Sequence, residues 1–102
     1  MKHVLVLQWP GTTKADFDEL LRMENALESR MNDAGFVDGH DFGSGEMNIF
    51  IETEQPIQAF ALAKEILANQ PGWGRVRAAY REAHEGTYTV LWPPGLMDFN
   101  VT

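Results

Sequence analysis

A chain of 102 residues supports one hydrophobic core rather than two, so residues 1–102 are expected to form a single domain, one sheet under one helical layer. Hydrophobic residues at 44% and charged residues at 23% are ordinary globular usage, which excludes the composition of disordered chains. The formal charge of -7 repels phosphate backbones and anionic headgroups, so neither nucleic acid nor membrane is expected as a partner, and the lack of cysteine excludes disulfides, thiolate catalysis and Cys-based zinc sites.

Val4 to Leu7 is a continuous apolar run that opens onto Trp9, Pro10 and Gly11, the pattern of a buried strand stopped by a turn. It is too short for a signal-peptide core or a membrane span, and the default expectation is a cytoplasmic protein. Thr13 followed by Asp16 forms a capping-box pattern, and Phe17, Leu20, Leu21, Leu27 and Met31 recur at helical spacing. A first helix is predicted over 14–34, with Gly35 as its stop.

Phe36 to Phe42 reads as a strand interrupted by Gly39, and Gly43-Ser44-Gly45 is a strong turn into a second strand from Glu46 to Thr53. Alternation there points Met47, Ile49 and Ile51 toward the helices and Asn48, Phe50 and Glu52 away from them. Pro56 suits the first turn of a second helix over 56–69, whose apolar stripe is Ile57, Phe60, Ala63 and Leu67. Val76 to Arg81 and Thr87 to Trp92 read as two further strands, or as one bulged strand, across the polar break from Ala83 to Gly86. Pro93, Pro94 and Gly95 close the last run, leaving 93–102 as a tail apolar enough, through Leu96, Met97 and Phe99, to dock on the body.

This order of elements resembles the ferredoxin-like superfold, a two-layer α+β sandwich of split βαββαβ type, here with an extra C-terminal strand. The resemblance is one of topology and not of a sequence motif. The superfold hosts electron carriers, metabolite sensors, RNA readers and protein adaptors, so it does not assign a function.

With right-handed crossovers, the topology brings one set of loops to the same end of the sheet. Trp9, Trp73 and Trp92, with Thr12, Thr13, Ser44, Glu46 and Arg75, are expected on that upper rim, where Trp and Arg would form a recognition patch beside a Gly-rich turn. The plainer alternative is that the tryptophans fill a small core. A second candidate is Asp38, His40 and Asp41, with Glu46 across the hairpin. Imidazole and carboxylates suit a divalent metal or an acid/base pair, but alternation splits the set between two faces. His3 and His84 read as isolated polar residues at the opposite end, and Gly43-Ser44-Gly45 precedes a strand and so lacks the helix N-terminus of a phosphate loop. No nucleophile-elbow, zinc-protease, Walker or dinucleotide fingerprint is present, so no catalytic residue, metal or cofactor is assigned.

The face of the sheet away from the helices is the third candidate, since Val4, Val6 and Phe50 make it apolar. A symmetric partner would cover it in a homodimer, with the tail as competitor for the same area. The leading functional expectation is a small acidic protein-binding module without chemistry of its own. In its sharpest form it is an inhibitor or immunity-type protein that meets a basic enzyme through Asp38, Asp41, Glu46, Glu52 and Glu54. The alternatives are a small-molecule-sensing regulatory domain and a small dimeric α/β enzyme using His40 and Asp38.

Overall fold

The structure is a computed structural model that describes residues 2–101. It is α+β. A five-stranded antiparallel sheet carries two helices, in the order β1 (His3–Pro10), α1 (Lys14–Arg30), β2 (Phe36–Gly43), β3 (Glu46–Thr53), α2 (Pro56–Leu67), β4 (Arg77–Glu82) and β5 (Thr89–Trp92). The strands lie side by side as β2-β3-β1-β4-β5. Every neighbouring pair is antiparallel. The apolar opening run thus becomes the central strand, with Leu5, Val6 and Leu7 wholly buried, because only a central strand is covered on both faces.

Residues of β1 and β3 facing each other across the ladder define the helix side: Leu5 pairs with Ile51, Leu7 with Ile49 and Trp9 with Met47. These six join Leu20, Met23 and Leu27 of α1 and Ala59, Phe60, Ala63, Ile66 and Leu67 of α2 in the main core. The alternation predicted for β3 holds. A tight turn sets its register: Ser44 and Gly45 both have positive φ, 56° and 82°, the two left-handed central residues of a type I′ hairpin. In β2 the ladder slips between Val37 and Gly39, whose φ is 147°, so Asp38 is the extra residue of a bulge in an edge strand.

The capping box forms as read: the Asp16 N–H donates to Thr13 Oγ1 at 3.1 Å, and Asp16 Oδ2 accepts from the N–H groups of Thr12 and Thr13 at 2.9 and 3.1 Å. Both helices end earlier than predicted. α1 stops at Arg30, where the Met31 N–H still reaches Leu27 O, and a separate 3₁₀ turn over Asn32–Ala34 follows. Gly35 is therefore not a left-handed helix stop. Its backbone is extended, and a Cβ there would lie 2.7 Å from Ile51 Cγ2, so glycine allows close approach to β3. α2 stops at Leu67, and Ile57 is 62% exposed rather than part of the apolar stripe. One residue after Pro56, it is turned about 100° around the helix from the buried row of Pro56, Phe60, Ala63 and Leu67.

Residues 77–92 form two strands joined by a connection that Arg81 holds, its guanidinium donating to the carbonyls of Glu82, Ala83 and Glu85 at 3.1–3.2 Å. On the face opposite the helices, Val6, Ala79 and Phe99 form a second, smaller buried cluster, flanked by Val4, Phe50, Tyr88, Val90, Leu96 and Val101. The tail, of the two covers expected for this face, is the one seated on it. Met97 stays out of it at 88% exposed.

Candidate functional site

The upper rim exists as a place. β1 ends there, the Gly11 N–H donates to Gly45 O at 3.1 Å, and the 3₁₀ turn Trp73–Arg75 leads into β4 beside it. What the rim offers is less than its composition suggests. Trp9 points to the helix side and is 1% exposed, so it is a core residue and makes no recognition contact. Its ring sits 6.4 Å from Trp73, which lies 6.2 Å from Phe60, which lies 6.4 Å from Trp92. This aromatic row closes the upper end of the core, and Lys64 Nζ rests 4.3 Å from the Trp92 ring centroid.

Thr12, Ser44 and Arg75 are exposed, while Trp73 and Trp92 are half-buried. Glu46 is drawn inward, its carboxylate 3.9 Å from Arg77, on the opposite side of the sheet from the tryptophans. The hydrogen bonds from the Thr12 and Thr13 backbone, with that from the Thr13 hydroxyl, hold Asp16 below the ordinary carboxylate range, and the charge of Arg75 adds to them. Because the folded value lies below the unfolded one, the ionised group favours the fold at neutral pH. That contribution fades as the pH falls through the lowered value. Urea melts followed from about pH 6 down to about pH 3 should show the wild type losing stability more steeply than Asp16→Asn, the two curves converging in acid.

His40 does not pair with Asp38. It lies opposite Ile49 and faces α1, where its Nδ1 is 3.0 Å from both carboxylate oxygens of Glu24 and its ring stands edge-on to Phe17 at 5.9 Å. The bulge at Asp38 breaks the simple alternation that would have put Asp38 and His40 on one face. Asp41 lies opposite Asn48 on the other face. Among the described residues, no three His, Asp or Glu side chains converge as metal ligands. Glu24 was the missed partner. The signal for it is helical spacing, since it follows Leu20 and Leu21 by four and three residues and so flanks the apolar stripe of α1.

A cleft of about 750 Å³ lies at the opposite end. It is formed where the 3₁₀ turn after α1, the start of β2, the end of β3 and the first turn of α2 meet. Its lining includes three acidic residues, Asp33, Glu52 and Glu54, together with Lys2, Asn32, Gln55 and Gln58. Phe36 stands at its edge, 63% exposed, between this cleft and a smaller one of about 180 Å³ that Glu28 also lines. Thr53 braces the floor, its hydroxyl donating to Ala34 O at 2.8 Å and accepting the Gln55 N–H at 3.0 Å.

Glu52 and Glu54 were anticipated as contacts. The cleft itself was not, because its walls come from Lys2 and from two stretches, 32–36 and 52–58, that lie far apart in the sequence. Set against models of known protein families, against curated proteins and against solved structures, the chain matches none of them significantly. Among the described residues, no helix is long and apolar enough to cross a membrane.

Proposed function

We propose that this chain is an acidic protein-binding module of ferredoxin-like, split βαββαβ type with an added C-terminal strand, and that it receives a basic segment of its partner in the lower cleft. The strand order β2-β3-β1-β4, antiparallel throughout, supports the fold reading, with β5 as the addition. One observation carries the functional reading: a cleft of about 750 Å³ at the lower end is lined by Asp33, Glu52 and Glu54 together with Lys2. Carboxylates and amide oxygens accept hydrogen bonds from guanidinium or ammonium groups, and the exposed Phe36 ring offers a face on which a cation can rest. Asp41 and Glu52 lie on the same side of the sheet and carry the negative field past the cleft.

In the inhibitor form of this proposal the partner is a basic enzyme, drawn in by the field and blocked by the module. The metabolite-sensing alternative draws support from the cleft volume, which suits a small cationic ligand as well as a side chain. The pairing of His40 with Glu24, outside the cleft, favours binding over chemistry by His40 and Asp38.

An NMR titration with a hexa-arginine peptide tests the proposal. Amide signals of Asp33, Glu52, Glu54 and Gln58 should move together, binding should weaken as salt rises, and Glu52→Lys should reduce affinity by about tenfold or more. Shifts confined to the upper rim, or binding indifferent to salt, would rule the cleft out.

A further inference from the structure

β2 is the outermost strand of the sheet, paired with β3 on one edge only. Past the bulge at Asp38 its pairing runs without a break from Gly39, opposite Phe50, to Gly43, opposite Glu46. Counting from the type I′ turn, Gly43 and Asp41 bond to β3 through the main chain, and the N–H and C=O groups of Phe42 and His40 point outward. Among the described residues no strand lies beyond them. The opposite edge of the sheet is blunted, since β5 is four residues long and is followed at once by Pro93 and Pro94, which lack an N–H.

The two sides of the β2 edge differ. On the helix side the Phe42 ring stands edge-on to Phe17 at 5.3 Å, both half-buried, and Phe17 in turn meets His40, whose Nδ1 is held by Glu24. On the other side Asp41 is half-buried, and Asp38 is exposed in the bulge. β2 has no lysine or arginine of its own. An added strand alternates its side chains between the same two sides, so the one that fits turns apolar residues toward Phe17 and Phe42 and basic residues toward Asp41. A second copy of β2 would set aspartates beside aspartates, which disfavours the chain itself as the occupant. We propose that the outer edge of β2 takes up an extended, basic segment of a partner protein as a further strand, bonded through the main chain of His40 and Phe42 and selected by Asp41 and Asp38. A basic occupant agrees with the partner proposed for the cleft, but its place on the edge does not depend on the cleft.

The probe is a blocked hexapeptide of alternating arginine and valine, added to the full 102-residue chain while amide hydrogen exchange is followed by NMR. The expected result is slowing of the His40 and Phe42 amides by about tenfold or more at saturating peptide, with binding that weakens as salt rises. The same peptide N-methylated at every residue keeps its charges but cannot donate main-chain hydrogen bonds, and it should bind about tenfold or more weaker. Unchanged exchange at His40 and Phe42, or equal binding of the methylated peptide, overturns the proposal. Protection of these two amides in the peptide-free protein that deepens with concentration also overturns it, being the mark of a second copy on the edge. Shifts confined to Asp33, Glu52, Glu54 and Gln58 would remove the edge and leave the cleft standing. Slowed exchange in β2 with a cleft that ignores hexa-arginine would do the reverse.

Discussion

Trp9→Ala should destabilise the protein by about 3–5 kcal/mol in urea unfolding followed by circular dichroism. The indole is 1% exposed on the helix side of β1, between Met47 across the ladder and Trp73 over the upper end. Truncation removes the largest fully buried side chain and leaves a cavity that a strand paired on both edges cannot collapse to fill. Trp9→Phe should be far milder, about 1 kcal/mol, because the Nε1 it deletes is a buried donor with no partner among the described residues. A recognition residue would behave in the opposite way. Truncating it would spare stability and weaken binding, so an unchanged melt for Trp9→Ala would return Trp9 to the surface.

Phe99→Ala should lose about 3 kcal/mol, although the residue lies in a tail beyond the last strand. Phe99 is 7% exposed and, among the described residues, shares the buried cluster on that face with Val6 and Ala79; without its ring these two open to water. The Asn100 carbonyl, one residue on, then has a poorer hold on Gln8 Nε2. Met97→Ala, at 88% exposed in the same tail, is the control and should change stability by less than about 0.5 kcal/mol. Dye binding to exposed apolar surface should rise for Phe99→Ala and not for Met97→Ala. Equal melting of the two variants would mean that the tail is not seated.

Local patterns were legible wherever one stretch of chain carries the whole reason for its structure. The capping box at Thr13 and Asp16, the turn at Gly43-Ser44-Gly45, and the alternation of Met47, Ile49 and Ile51 each depend on residues within a few positions of one another. The early ends of α1 and α2 were not legible, and neither was the extended backbone of Gly35, which its close approach to Ile51 of β3 decides. His40 illustrates the same division. Its sequence neighbours suggested a pairing with Asp38, and a bulge that only the sheet reveals gave it to Glu24, sixteen residues earlier.

By itself, then, the order and periodicity of residues determined a single α+β chain with a buried first strand, two amphipathic helices, a hairpin and an acidic surface. These follow from backbone propensity and from the period of apolar positions, which act over a few residues. Tertiary structure alone decided that Trp9 is core, that the tail through Phe99 covers the open face, and that a cleft forms at the lower end among Asp33, Glu52 and Glu54. Each of those depends on which segments compete for the same apolar area or the same space. That competition is settled by packing across the whole chain, between residues as far apart as Gln8 and Asn100.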